Sequence, residues 1–387
     1  ASTLGLAAQG TFGLLRSWSD AAVTLAVLGL PQALLHLQYR ERVPVAALRA
    51  WVGRYLLVLF ALAALAMALI TIVWPSLAAP GWPALLPVLV VAAVVPFGAA
   101  HLLGRALLLR EVGPVGYAAI TAAPALLLLA GVLPLCLAHR PQGLAWPLLF
   151  AAAVSALITG VWVRRVGARA GGDTPSHAPW PRRTLWAVSL ETGGQSVLTA
   201  LAPPLLLSTA GWLGGPLAEI GIVSLGLHVY QLFGVAAAYV APMAYDRAAR
   251  AERAIGTREL LARLRTRLDR RVAFALAGAA LLALVVLPVL WPVGVASGVL
   301  LVAMSAAGVL SMAVRLLVTV LLARGAFRPL TWHALGRVLL GCGFTAALMQ
   351  RWSAPLAVPL ALLIAEALLL AWALALMRLT HAGAAAQ

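Results

Sequence analysis

The chain alternates long apolar stretches with short polar loops. Each stretch has about 20 residues, the length that an α-helix needs to cross the hydrocarbon core of a bilayer. The pattern predicts eleven membrane-spanning helices, at residues 13–37, 55–74, 84–109, 115–137, 146–163, 185–209, 218–243, 272–291, 295–323, 331–350 and 354–377. We therefore expect an all-α, polytopic membrane protein.

The composition leads to the same class. Apolar residues make up 63% of the 387 residues and charged residues only 10%, whereas soluble domains are about 25% charged. The 28 basic side chains are all arginines, and in a membrane protein such an excess marks cytoplasmic loops rather than nucleic-acid binding. The two cysteines, Cys136 and Cys342, lie in apolar stretches and indicate neither a disulfide framework nor a metal site.

Arginines are concentrated in alternate loops. The arginine-rich loops lie near residues 40–54, 110, 164–183, 247–271 and 324–328, and the loops between them are short and nearly uncharged. The positive-inside rule places the arginine-rich loops in the cytoplasm. Residues 257–271 have leucines at helical spacing and predict an amphipathic helix on the inner leaflet, which either binds anionic lipid or only anchors the topology.

Motifs of the first half recur in the second half in the same order. "LGLPQALLHLQYRER" and "AAYVAPMAYDRAARAER" each end a span before a basic loop, and their Pro31 and Pro242 are 211 residues apart. This predicts a duplicated six-helix unit in which the first helix of the first half is missing from the chain. The expected domains are a bundle of five visible spans (1–163), a cytoplasmic linker (164–184) and a bundle of six spans (185–387).

The same motifs resemble those of a known superfamily. The helix ending "LGLPQAL" and the stretch "GIVSLGLHVYQLFGVAAAYVAPMAYDRAARAE" are similar to bacterial polysaccharide (Wzx-like) flippases of the multidrug/oligosaccharidyl-lipid/polysaccharide exporter superfamily. The resemblance implies two six-helix bundles in a pseudo-two-fold, V-shaped arrangement that alternates between inward-open and outward-open states. It also implies a multi-pass protein of the bacterial inner membrane that flips an undecaprenyl-diphosphate-linked oligosaccharide. Membrane lipids are then expected partners, as is a functional link to a polysaccharide polymerase and glycosyltransferases; nucleic acid is not.

Arg16, Arg105 and Arg315 interrupt apolar runs. A charge near the bilayer centre costs about 2.5–3.5 kcal/mol on insertion scales, so such residues usually face a bundle interior or water. Asp20 shares a helix face with Arg16, and His101 aligns with Arg315 in the repeat. We predict that these five residues line a substrate cavity, since guanidinium groups bind phosphate oxygens. The alternative for Arg16 and Arg105 is that their long side chains reach the membrane interface.

Polar residues inside other spans are candidates for energy coupling. Glu191 is followed four residues later by Gln195, while Glu366 and His228 stand in largely apolar helices. A carboxylate in a low-dielectric environment can exchange protons near neutral pH, and with carbonyls and hydroxyls it can bind Na⁺. We predict coupling to H⁺ or Na⁺, with Glu191, which has Gln195 beside it, preferred as the coupling or substrate-contact residue. The other interpretation is that these residues form hydrogen bonds between helices.

Two other functions are compatible with a polytopic helical protein. An ion-coupled small-molecule or drug antiporter of the same superfamily would share the duplication, with a smaller cavity and more prominent carboxylates. A membrane glycosyltransferase or polymerase would carry a large outer loop with catalytic residues, whereas every predicted outer loop is short and nearly uncharged. We therefore expect a transporter rather than an enzyme, without catalytic residues, metal site or cofactor beyond the coupling ion.

Overall fold

The computed structural model describes residues 6–39, 41, 43–73, 85–109, 111–137, 145–169, 182–251, 295–323 and 327–385. Within these ranges the chain forms eleven α-helices and no strand. They are α1 (Leu6–Val27), α2 (Leu30–Tyr39), α3 (Val45–Val73), α4 (Leu85–Leu108), α5 (Gly113–Leu137), α6 (Ala145–Arg169), α7 (Arg182–Trp212), α8 (Leu217–Ala251), α9 (Val295–Ala323), α10 (Phe327–Met349) and α11 (Ala354–Ala385). The prediction of an all-α fold is confirmed.

Six of the described helices are long and apolar enough to cross a membrane. Their apolar segments are Val45–Leu69, Leu89–Leu108, Trp146–Val166, Leu217–Gly234, Val299–Leu322 and Ala354–Arg378. A helix satisfies its backbone hydrogen bonds internally, as hydrocarbon requires. The predicted spans at 185–209 and 331–350 also form helices, α7 and α10, although neither is among these six. The predicted span at 272–291 and the amphipathic segment 257–271 lie outside the described residues.

The first predicted span, 13–37, is not one helix. It consists of most of α1 and α2, which are inclined by 47° at a break that contains Leu28 and Gly29. Both residues have positive φ angles, 37° for Leu28 and 74° for Gly29, a backbone region that favours glycine. The sequence prediction of a continuous helix was wrong here.

The α1–α2 break packs tightly against α7. Ser189 donates a hydrogen bond to the Leu28 carbonyl over 2.5 Å, and Thr192 donates one to the Gly29 carbonyl over 3.3 Å. The Tyr55 hydroxyl of α3 donates to the Ala26 carbonyl. Side chains of α7 and α3 therefore bind carbonyl groups at the end of α1, while the Gly29 carbonyl also accepts backbone hydrogen bonds from Gln32 and Ala33 of α2.

The chain divides into two compact units. Unit 1 contains Leu14–Ala200, and unit 2 contains Leu6–Gly13 together with Leu201–Gln387. Helices α1 and α7 thus contribute residues to both units, and the division falls inside α7 rather than in the expected linker 164–184. Within unit 2, the glycines Gly10 and Gly13 allow α1 to approach α8 closely, since a Cβ at either position would overlap atoms of α8.

The packing within the two units follows the predicted duplication. In unit 1, α6 packs against both α4 and α5; in unit 2, α11 packs against both α9 and α10. These are the equivalent helices of the two halves. On the outside of unit 1, α3 exposes large apolar side chains such as Leu57, Leu62 and Leu65, as expected for a helix that faces acyl chains.

Candidate functional site

A buried polar cluster joins four helices of unit 2. It consists of Tyr230 on α8, Ser311 and Arg315 on α9, Arg337 on α10 and Glu366 on α11. We call these five residues the unit-2 cluster. Glu366 is completely buried, and Arg337 is 8% exposed. Ionisable side chains at such positions in membrane helices usually mark pathways for substrates or ions.

Glu366 is the centre of the hydrogen bonds in the cluster. Its Oε2 accepts a hydrogen bond from Arg337 Nη2 over 2.9 Å, which is also an ion pair. Its Oε1 accepts one from the Tyr230 hydroxyl over 2.6 Å. The Tyr230 oxygen lies 2.9 Å from Ser311 Oγ, so Ser311 donates to Tyr230 while Tyr230 donates to Glu366. Both carboxylate oxygens are thus engaged by donors from other helices.

Arg315 adds a second positive charge beside this ion pair. Its guanidinium interacts electrostatically with Tyr230, Arg337 and Glu366, and its buried Nε has no hydrogen-bond partner. The guanidinium packs against Gly234 of α8, where a Cβ would come within 3.1 Å of it. Glycine at this position therefore makes room for the arginine.

The charges of the unit-2 cluster do not cancel. Arg315 and Arg337 carry two positive charges against the one negative charge of Glu366. An unpaired charge in a low-dielectric interior is costly. The surplus positive charge can therefore attract an anion.

His333 extends the polar surroundings of Arg337 along α10. Its Nε2 lies 3.0 Å from the Leu369 carbonyl of α11, and its ring packs against Trp372, with centroids 5.6 Å apart. Arg337 and His333 thus both connect α10 to α11.

A smaller polar cluster lies between α4, α5 and α6 in unit 1. His101 Nδ1 is 2.9 Å from Thr159 Oγ1, and the Arg105 guanidinium lies 5.6 Å from the centre of the Tyr117 ring. The other ring nitrogen of His101 and the Ser155 hydroxyl are buried without hydrogen-bond partners. His101 and Arg105 are therefore neighbours in the bundle, as their spacing along one helix implies.

The predicted site residues do not form one site but lie in separate parts of the two units. Arg315 and Glu366 meet in the unit-2 cluster, and His101 and Arg105 meet in unit 1. Arg16 and Asp20, both on the part of α1 that belongs to unit 1, interact electrostatically; Arg16 is half-buried and Asp20 is exposed.

The remaining three predicted residues lie on α7 and α8. Glu191 is exposed, whereas Gln195 is half-buried and its Oε1 has no hydrogen-bond partner. His228 Nδ1 lies 2.6 Å from the Ser224 carbonyl of its own helix.

Sequence reasoning missed Arg337, Tyr230 and Ser311. Arg337 lies inside the predicted span 331–350, so the criterion that selected Arg315 also applies to it. Tyr230 and Ser311 give no comparable signal, because hydroxyl groups are common in apolar helices. Their role follows only from the packing of α8 and α9 around Glu366.

Comparison with known proteins gives a match in structure only. No protein-family profile and no curated protein matches the chain. The chain matches an inward-facing multidrug resistance MATE family transporter of the MOP superfamily with a TM-score of 0.67 at 16% identity, covering 98% of this chain and 92% of that one. An outward-facing MATE family transporter of the same superfamily matches with a TM-score of 0.64 at 15% identity, covering 99% and 89%.

A third match is the bent form of the Vibrio cholerae MATE transporter VcmN, with a TM-score of 0.54 at 14% identity, covering 96% of this chain and 86% of that one. At these identities the likeness establishes the fold. The protein is a polytopic helical membrane protein. Its fold is that of the MATE transporters of the MOP superfamily, and the more specific likeness to polysaccharide flippases stays a prediction.

Proposed function

We propose that the protein is an alternating-access transporter, an ion-coupled antiporter that moves small organic molecules across a membrane. The observation that carries this proposal is the nearly full-length match to MATE transporters in both inward-facing and outward-facing conformations. Those transporters are described as multidrug resistance proteins. This favours the antiporter, which was the second choice from the sequence, over the flippase.

The buried charges supply the chemistry that such a transporter needs. Polar solutes and ions cross hydrocarbon only when the protein replaces their hydration, and intramembrane ionisable residues serve this purpose. The unit-2 cluster and the His101–Arg105 pair are the candidate groups in the two units. The coupling ion is H⁺ or Na⁺, and Glu191 is the candidate coupling carboxylate of unit 1.

A lipid-linked oligosaccharide flippase is the second candidate. It is favoured by the surplus positive charge of the unit-2 cluster, because a diphosphate headgroup needs counter-charges in hydrocarbon and arginine matches its oxygens. This candidate includes the bacterial inner membrane as the location and a polysaccharide polymerase and glycosyltransferases as functional partners.

Reconstitution into liposomes distinguishes the two candidates. An imposed H⁺ or Na⁺ gradient is expected to drive uptake of a fluorescent organic cation such as ethidium, and an ionophore that collapses the gradient is expected to stop it. Protein-free liposomes are the control. Absence of gradient-driven flux for cationic, neutral and anionic dyes contradicts the antiporter. Transfer of an undecaprenyl-diphosphate-linked oligosaccharide between the leaflets of the same liposomes then supports the flippase.

A further inference from the structure

We propose that Arg337 is a built-in counter-cation for Glu366: its guanidinium occupies the place that a sodium ion would take and makes the unit-2 cluster unavailable to Na⁺. The proposal refines the proposed function, because it excludes one of the two candidate carboxylates as a sodium-coupling site. Its test needs no transported substrate, so it does not depend on whether the antiporter proposal is correct.

The first argument is the occupancy of the carboxylate. Arg337 Nη2 holds Oε2 of Glu366 at 2.9 Å, and Tyr230 holds Oε1 at 2.6 Å. Glu366 itself is completely buried. A metal cation that binds this carboxylate therefore has to displace either the guanidinium or the phenol.

The second argument is that the cluster would suit a hard cation if the guanidinium were absent. Carboxylate and hydroxyl oxygens are the ligands that such cations prefer. Glu366 provides two carboxylate oxygens. Tyr230 provides a hydroxyl oxygen that is hydrogen-bonded to Oε1, and Ser311 provides a second hydroxyl oxygen that is hydrogen-bonded to Tyr230. Arg337 thus takes up one carboxylate oxygen of a group whose other oxygen is already hydrogen-bonded to a hydroxyl of α8.

The third argument is charge. Arg315 interacts electrostatically with both Glu366 and Arg337, so the cluster carries one surplus positive charge before any ion arrives. An added sodium ion would raise this surplus to two in a buried environment, where like charges repel strongly. A tethered guanidinium also competes at a high effective concentration, since it is part of the same chain.

The consequence concerns where sodium can act in this protein. Glu191 on α7 is exposed and belongs to unit 1. If transport depends on sodium, the cation acts at a group other than Glu366.

The test is the thermal stability of the purified full chain in NaCl compared with choline chloride at equal ionic strength. Any Tm difference that the wild-type protein shows between the two salts is expected to be the same in Glu366→Gln, because such a difference arises at a group other than Glu366. The double variant Arg315→Met/Arg337→Ala leaves Glu366 without a guanidinium, and its Tm is expected to rise by about 2 °C or more in NaCl, because an ion that binds the folded state stabilises it.

Two further variants identify the binding group. Arg315→Met/Arg337→Lys keeps one tethered cation and is expected to be insensitive to sodium. Adding Glu366→Gln to the alanine double variant is expected to remove the sodium response. If the alanine double variant folds and does not respond to sodium, or if the lysine variant responds equally, the proposal is overturned.

If the double variants do not fold, the proposal is tested by comparing the sodium dependence of Tm between the wild-type protein and Glu366→Gln. A sodium-dependent rise of the wild-type Tm that Glu366→Gln abolishes shows that Glu366 binds sodium in the presence of Arg337, and overturns the proposal. No such difference between the two proteins supports it. Failure of solute transport in liposomes affects neither result.

Discussion

Glu366 lies in an otherwise apolar part of α11, and its carboxylate depends on donors from α8 and α10. Desolvating two charges is expensive, so a buried pair adds little net stability, yet removal of one partner leaves an uncompensated charge. The energetic consequence of a substitution therefore depends on whether one partner is removed or both.

Arg337→Met is expected to lower the free energy of unfolding by about 3–5 kcal/mol, because Glu366 then stays buried without its ion-pair partner. The double variant Arg337→Met/Glu366→Leu is expected to lose less, since neither charge remains. Thermal unfolding in detergent measures both. The control is Arg351→Met, at an exposed position between α10 and α11, with an expected change within about 0.5 kcal/mol. Equal effects of Arg337→Met and Arg351→Met would contradict the importance of the pair.

Glu191 gives a prediction about transport rather than stability. Glu191→Gln keeps the shape of the side chain and removes its charge. If this carboxylate couples ion movement to transport, the variant still exchanges solute but loses its response to the gradient. Liposome flux with and without the gradient measures this, and Glu111→Gln, exposed between α4 and α5, is the control. A Glu191→Gln variant with the wild-type gradient response would exclude Glu191 from coupling.

Individual site residues were predictable from sequence only when they were conspicuous. Arg315 and Glu366 stand out because a single charge in an apolar run is rare. Their association was not predictable, because it depends on how α9 packs against α11. Arg337 was not predicted, although it also lies within a predicted span. Because α10 also contains Arg328 and His333, one further basic residue was less conspicuous there.

The α1–α2 break illustrates what the sequence of a single element leaves undetermined. "LGLP" supplies a glycine and a proline near the end of the first span, and both residues are typical of helix ends. The sequence alone does not show that the break lies before Pro31, or that Ser189 and Thr192 of α7 bind the Leu28 and Gly29 carbonyls. These contacts connect residues more than 160 positions apart, so local pattern cannot predict them.

Gly29→Ala is expected to destabilise the protein by more than about 1 kcal/mol, since alanine disfavours a positive φ. A Cβ at this position would also lie 2.6 Å from the backbone nitrogen of Gly193. The matched control is Gly53→Ala within α3, where no atom lies within 4 Å and where alanine is expected to stabilise the helix by about 0.5–1 kcal/mol. Thermal unfolding compares the two. A stabilising effect of Gly29→Ala would show that the break is not required.

At the scale of the whole molecule, the apolar stretches predicted the all-α class, and the ordered recurrence of motifs predicted the duplication. Corresponding helices make corresponding contacts, α4 with α6 and α9 with α11. The division into units was less predictable. Polar and flexible residues at 164–184 suggested a linker, whereas the compact units divide within α7 and share α1. The assignment of parts of α1 and α7 to different units depends on contacts between residues far apart in the sequence, and local composition does not predict such contacts.

The most direct test of the transport proposal is solute exchange without a driving force. Liposomes containing the protein are loaded with an unlabelled solute identified by the flux screen, and entry of the labelled solute is followed. An alternating-access transporter returns its site faster when that site is occupied, so unlabelled solute inside is expected to accelerate labelled entry. Entry that is independent of internal solute and equals that of protein-free liposomes would contradict the account.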